Sequence, residues 1–277
     1  MPKFAQTITE DRASSPQVID GSLTFDKAKT QYLQRTPGAG GSRTKWTMSF
    51  WMKRMKTASS SRFISTGYTS SGGVYGFYIG YNSDSLSFVA NHDSIGMVLS
   101  PSAKQVDLQA WYHIVCVLDT AQGAAADRGA IYLDGEKVSA FGTETYPGQS
   151  DTPNWMNTAK VHTIGAWNLN GSMADGTDSQ LSQFYFIDNQ VLGAEDFGYS
   201  DPLTNTWRPK QYEGTYTTQS FYLPFDGVRP IGEDRSGLGN HWTPASSATG
   251  AIGGFSAISK ATGALPILNT LGSGKVA

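Results

Sequence analysis

Residues 46–52 read Trp46-Thr47-Met48-Ser49-Phe50-Trp51-Met52, and their alternation decides the fold class. Large apolar side chains recur at every second position, so an extended chain sets Trp46, Met48, Phe50 and Met52 on one face. A helix would split the same four residues between opposite sides. The stretch therefore predicts a β-strand with one face turned to a core.

The flanking sequence repeats this pattern in short runs. Ser22 to Phe25 and Gln31 to Gln34 read as extended, and Pro37 to Gly41 as an exposed loop. Val74 to Gly80 and Leu86 to Ala90 are strands on either side of the turn Asn82-Ser83-Asp84. Trp111 to Leu118 is apolar on both faces, which fits a central strand covered on both sides. Ala130 to Leu133 meets Asp134-Gly135, a hairpin signal, and Glu136 to Phe141 is expected to return as its partner. Val161 to Ala166 and Leu181 to Ile187 complete the set, with Phe184 and Phe186 facing away from Leu181, Gln183, Tyr185 and Ile187. Gly193 to Phe197 is a single helical turn, too short to shape the architecture. Strands this closely spaced, with almost no helix between them, predict an all-β, antiparallel sandwich.

Composition agrees. The 277 residues include 31 glycines, 12% aromatics and 16% charged residues, the profile of short strands joined by tight turns. Residues 1–20 are polar and aperiodic, ending at Pro16 and Asp20-Gly21, and form an arm. The sandwich is expected over residues 21–226, followed by an extension over 227–277. Its last part, 245–277, is rich in Ala, Ser, Gly and Thr, too poor in apolar bulk to offset its own ordering entropy. Neighbouring chains are expected to hold both ends, which points to assembly.

The net charge is −2, and the densest basic run, Lys53-Arg54-Met55-Lys56, reads as a solvated strand end. No basic stripe with interleaved aromatics is present, so nucleic acid is not an expected partner. Cys116 is the one cysteine, which excludes an intrachain disulfide, and its apolar neighbours make it a small buried side chain. His113 lies within the same strand and is read as a packed, hydrogen-bonded residue, since no second ligand stands at metal-site spacing. No run is long enough to span a membrane and Met1 to Gln6 lack a signal-peptide core, so a soluble chain folding in a reducing cytoplasm is expected. Nucleophile elbows, His-Glu-x-x-His pairs and phosphate loops are absent from the sequence.

Five stretches in order carry a resemblance: Trp46 to Trp51, Trp111 to Val115, Ile131 to Gly135, Ile164 to Ala166, and Gln180 to Asp188 with Leu192 to Glu195. Over residues 22–200 the chain resembles the laminin-G-like branch of the concanavalin A-like lectin and glucanase superfamily. That resemblance implies a jelly-roll sandwich. A second one lies downstream, where Phe221 to Asp226 and Asp234 to Trp242 resemble a segment recurring in bacteriophage proteins that carry this domain. It implies a virion structural protein, such as a tail fibre, spike or capsid decoration. Other virion proteins and further copies of the chain would be its partners, and the virion its place.

The glucanase branch would imply a Glu-x-Asp-x-x-Glu strand and paired carboxylates about 5 Å apart. The six glutamates, at 10, 136, 144, 195, 213 and 233, do not form that pattern, and a non-enzyme is expected. The resemblance also implies Ca2+ held by loop oxygens, for which Asn170, Asp175 and Asp178 crowd one loop, with Asn91 and Asp93 in another. The same residues could simply cap loop backbones as Asx-turns. A sugar site needs an exposed aromatic face beside amides. Asn154 with Trp155, and Trp167 with Asn168, offer this in expected loops, although both tryptophans could instead plug the sandwich edges. Three readings stay open: a virion assembly block, a host glycan-binding lectin module and a glycan hydrolase.

Overall fold

A computed structural model describes residues 21–57, 60–70, 73–92, 95–153, 156–169, 172–226, 230–246 and 256–259. The arm expected at 1–20 and residues 260–277 lie outside these. The described strands begin with β1 (Gly21–Phe25), β2 (Gln31–Arg35), β3 (Lys45–Arg54), β4 (Ser61–Ser70), β5 (Gly73–Asn82), β6 (Ser85–His92) and β7 (Ile95–Pro101). They continue with β8 (Tyr112–Asp119), β9 (Gly129–Leu133), β10 (Glu136–Lys137), β11 (Phe141–Thr145), β12 (His162–Ile164), β13 (Trp167–Leu169) and β14 (Ser172–Ala174). The last six are β15 (Ser179–Asp188), β16 (Gly198–Ser200), β17 (Trp207–Pro209), β18 (Phe221–Leu223), β19 (Thr243–Ser246) and β20 (Ser256–Ser259).

Two antiparallel sheets face each other as a jelly-roll sandwich. The first runs β10-β9-β8-β3-β15-β1-β20, with β18 also paired to β15. The second runs β11-β7-β6-β5-β4-β12-β2-β19. No helix among the described residues is long and apolar enough to cross a membrane.

Strand β3 lies mid-sheet, as its alternation requires. Trp46, Met48, Phe50 and Met52 are fully buried between the sheets, opposite Leu118, Cys116, Ile114 and Tyr112 of β8. Each such side chain contributes about 1.5–3 kcal/mol through removal from water. Phe77 meets the Trp46 ring edge-on at 5.6 Å, and Phe184 stacks on Phe50 at 4.8 Å. Burial pushes the Cys116 thiol upward in pKa, so it stays protonated and inert.

Strand β15 departs from simple alternation. Ser182 pairs with Trp51 and Tyr185 with Ser49, so three steps along β15 match two along β3. The extra residue leaves Gln183 in the left-handed region at φ 49°. This bulge reverses the parity, and Leu181, Phe184 and Phe186 all enter the same core. The expectation that the two phenylalanines face away from Leu181 is corrected by it.

The outer face of the first sheet is also buried. Val115, Val117, Tyr185 and Ile187 pack under Phe197, Tyr212 and Tyr222, making a second core beneath the segment from 190 to 222. Tyr185 and Tyr222 stack at 4.3 Å. Trp51 and Trp111 pack with Trp207 beside it. The helical turn expected near Gly193 spans Ala194–Asp196 and belongs to this cover, with the Asp196 carboxylate accepting the Gly193 N–H at 3.0 Å; Lys27–Lys29 and Ala125–Asp127 form two further turns of this kind.

Three further expectations change. After Asp134-Gly135, Glu136 and Lys137 pair with β9 and the Val138 N–H still donates to the Ile131 carbonyl, but the chain then crosses to join β7 from Phe141 onward. Arg54 is not a solvated strand end: it is 3% exposed, donates to the Gln105 carbonyl and Asp84, and lies 4.2 Å from the Tyr81 ring centroid. Beyond residue 226 the described residues are built into the sandwich, with Ile231 and Trp242 in the main core and β19 and β20 completing the two sheets. The sequence stretches Phe221 to Asp226 and Asp234 to Trp242 pack together, as Trp242 meets the Phe221 ring at 5.1 Å. The Asp234 carboxylate accepts the N–H groups of Tyr222, Ser236 and Asn240 and the Ser236 hydroxyl, which fastens that loop to β18.

Candidate functional site

The first sheet's outer face is sealed, which directs attention to the outer face of the second. There Tyr78 stands in a row with half-buried Val89 and Val98 and exposed Thr145 on successive strands. The hairpin of β13 and β14 lies across β4 beside this row.

Local sequence fixes that hairpin. Gly165 has φ +98°, and a Cβ there would lie 2.4 Å from the Phe25 ring, so the turn out of β12 requires glycine. Its N–H donates to the Phe63 carbonyl, and its own carbonyl accepts the Thr177 N–H, closing the base of the hairpin. The Ala166 carbonyl accepts the Ser65 hydroxyl at 2.9 Å and the Thr163 hydroxyl at 2.6 Å. Trp167 follows directly and pairs with Ala174. Gly67 lets the hairpin approach β4, since a Cβ there would lie 2.2 Å from Trp167 Nε1.

Arg62 forms the floor. A bulge shifts the register between Arg62 and Ile64, and the guanidinium emerges on the outer face with only 4% of the side chain exposed. It lies 3.9 Å from the Tyr78 ring centroid and 5.1 Å from that of Trp167, within cation–π range. Nη1 donates to the Ser61 and Tyr81 carbonyls at 3.0 and 2.9 Å, and Nη2 pairs with Asp175 at 2.8 Å. Burial lowers the pKa of the guanidinium, while Tyr78 and then Asp175 act in the opposite direction. The Tyr78 hydroxyl in turn accepts from Asn82 at 2.8 Å. The result is a fixed aromatic surface on a neutralised cation, suited to stacking rather than to proton transfer.

The structure places the expected site residues unevenly. Asn154, Trp155 and Asn170 lie outside the described residues, as does Asp93. Trp167 is half-buried and belongs to a strand rather than a loop, with its indole 5.5 Å from Tyr78. Asn168 is 7% exposed, and its carbonyl lies against Gly67. Next to Asn154 and Trp155, Met156 enters the main core and Asn157 donates to the Ser42 carbonyl and Asp188. Arg62 and Tyr78 were not foreseen, because nothing local in Ser61-Arg62-Phe63 or Phe77-Tyr78 marks two residues that meet only through sheet pairing.

Of the expected calcium ligands, the two described carboxylates are engaged by the protein itself: Asp175 is paired with Arg62, whereas Asp178 accepts the Lys27 N–H at 3.0 Å and pairs with Lys56 at 3.0 Å. Among the described residues, no group of three or more His, Cys, Asp or Glu could hold a metal.

Buried ionisable groups elsewhere have structural partners. His113 Nδ1 accepts the Trp207 indole N–H at 2.9 Å, so its Nε2–H faces the Ser49 hydroxyl at 2.8 Å. Burial pulls this imidazole down to about 3, which keeps it neutral. Asp188, raised in pKa by burial, accepts the Ser42 N–H and the Asn157 amide, both at 2.8 Å.

Comparison with known proteins fits this architecture. A family model, Laminin_G_3, described as the concanavalin A-like lectin/glucanases superfamily, matches residues 27–195. The native heptameric SAP-like pentraxin from Limulus polyphemus is similar at 16% identity over 64% of this chain and 79% of that one, with a TM-score of 0.44. Domains LG4-5 of the mouse laminin alpha1 chain align at 10% identity over 80% of this chain and 52% of that one, with a TM-score of 0.45. A botulinum neurotoxin type C structure, whose title ties cell entry to two ganglioside molecules, aligns at 12% identity over 64% and 43%, with a TM-score of 0.38. The chain thus spans about half of the laminin structure and less than half of the neurotoxin one. No curated protein matches by sequence.

Proposed function

The chain belongs to the concanavalin A-like lectin/glucanases superfamily through its laminin-G-type domain, and from that premise we propose a non-catalytic block that binds glycans and assembles within a bacteriophage virion. The observation that carries the glycan part is the asymmetry of the two outer faces. One is sealed by a second core, while the other presents Trp167 on a rigid Arg62–Tyr78 floor. A sugar ring would lay its C–H face on the indole and pair its hydroxyls with polar groups at the rim. Trp155 with Asn154 is retained as a second platform.

Assembly is favoured by a different feature. Among the described residues strand β11 pairs with β7 alone, and Gly142 to Thr145 are exposed, so this five-residue edge could take a strand from another chain. The opposite sheet ends instead in the two-residue, charged β10, a blunted edge. The virion context rests on the resemblance of Phe221 to Asp226 and Asp234 to Trp242 to segments of phage proteins. Non-catalytic action is supported by the missing acidic strand pattern and by the structural engagement of Asp188 and Asp234.

The test is a glycan array on the full chain and on Trp167→Ala and Trp155→Ala. Loss of binding in Trp167→Ala is expected, and binding that survives both substitutions would remove the platform reading. Antibody detection of the chain in purified phage particles checks the virion part; a chain found only in the soluble lysate overturns it.

A further inference from the structure

The proposed platform rests on a cation that is already balanced, and we infer that it selects uncharged glycans over sialylated, uronate or sulfated ones, with Asp175 setting that choice. The inference depends on the platform reading. Arg62 is 4% exposed and lies behind the rings, with Nη1 bonded to two carbonyls and Nη2 to Asp175. The Asp175 side chain is 33% exposed, so the charge that reaches solvent beside Trp167 is negative. Three residues on, Asp178 is paired with Lys56, while Lys27, packed against Gly176, turns its ammonium to the Ser60 carbonyl.

An acidic glycan approaching Trp167 would therefore meet a carboxylate. To reach Arg62 it would have to displace Asp175 from a buried guanidinium, breaking a charge-assisted bond in surroundings of low dielectric. A neutral sugar needs no such exchange. It can stack on the indole and donate a hydroxyl to the exposed carboxylate oxygen, whose pairing to Arg62 holds it in place. Asp175 sits at φ 44°, a backbone region that asparagine also tolerates, so its charge can be removed without losing the turn.

The test uses the full chain on an array of neutral and acidic oligosaccharides, matched as lactose and sialyllactose, followed by titration of the strongest neutral hit and its acidic counterpart. Wild type should prefer the neutral member, and the preference should vanish in Trp167→Ala. In Asp175→Asn the ratio of acidic to neutral binding should rise about tenfold or more, since like charges facing each other at a binding surface discriminate strongly. In wild type, residual binding of the acidic member should strengthen as salt rises from about 0.05 to 0.5 M, because screening weakens repulsion. This measurement is independent of whether the variant folds. Trp167-dependent binding of the acidic member as tight as the neutral one, or weakened by salt, overturns the charge selection and leaves the platform standing. Absence of any Trp167-dependent glycan binding overturns both.

Discussion

Trp207 donates its indole N–H to Nδ1 of His113 across 2.9 Å, and this bond fastens the cover segment to the outer face of the first sheet. The imidazole lies between two indoles, at 5.0 Å from Trp51 and 6.0 Å from Trp207. Replacing Trp207 with Phe keeps most of the ring packing but leaves a buried acceptor unpaired, which costs about 1–3 kcal/mol. Limited proteolysis should then cut first between 190 and 216 while the sandwich stays intact. Cleavage that begins elsewhere, with unchanged stability, would show that the bond does not hold the cover.

Acid should destabilise the protein through its histidines. His113 and His162 are buried and shifted down to about 3 and about 4, from 6.5. Between those values the unfolded chain takes up protons that the folded one excludes. Stability is therefore full above pH 6.5 and falls as the pH drops through that window. Each histidine contributes a slope approaching 1.4 kcal/mol per pH unit, so the pair removes about 2–3 kcal/mol between pH 6 and 5. Burial raises Asp134 to about 6, and its protonation offsets about 1 kcal/mol of that loss, so urea unfolding at the two pH values should show a net loss of about 1–2 kcal/mol, and about 1 kcal/mol less in His162→Gln. A His162→Gln variant with the same pH dependence as the wild type would contradict the buried neutral state.

Gly67→Ala should lift the hairpin off β4. The new Cβ would lie 2.2 Å from Trp167 Nε1 and 2.8 Å from the Asn168 carbonyl, contacts that force the hairpin to shift. Overpacking of this kind costs about 1–3 kcal/mol. Glycan binding should fall together with stability and tryptophan fluorescence should change. An unaltered spectrum with retained binding would mean that the hairpin does not depend on this approach.

Arg54 and Lys53, adjacent in sequence, should behave differently. Arg54 is buried and bonded to Asp84, so removing it strands a partly buried carboxylate, and Arg54→Ala is expected to lose about 3 kcal/mol or more. Lys53→Ala should stay within about 0.5 kcal/mol, as at most surface positions. Equal effects in a denaturant titration would restore the solvated reading of this strand end.

The sequence was most legible in the long strands at the middle of the first sheet. Trp46 to Met52 alternate without interruption and occupy the inferred positions, and the doubly apolar Trp111 to Leu118 is covered on both sides. Gln183 was not legible, because a single residue in the left-handed region reverses the faces of everything after it. Thr243 to Ser246 has no large apolar group and Ser256 to Ser259 only Ile258, yet both pair through backbone ladders that need no particular side chain. Pro244 is tolerated because β19 ends the second sheet. Of the candidate site, Trp167 was visible as an aromatic beside amides, whereas Arg62 and Tyr78 are joined to it only by pairings between distant strands.

The position of β1 bears on how the chain is made. This strand lies between β15 and β20, so Leu23 faces Leu181 on one side and Ala257 on the other. A ribosome must deliver the chain as far as Ser259 before β1 has both neighbours. Until then the early strands expose apolar surface with no local partner, and closure of so distant a contact is slow. Synthesis is thus the interval of greatest risk for aggregation, and shielding by a chaperone would act before β20 emerges.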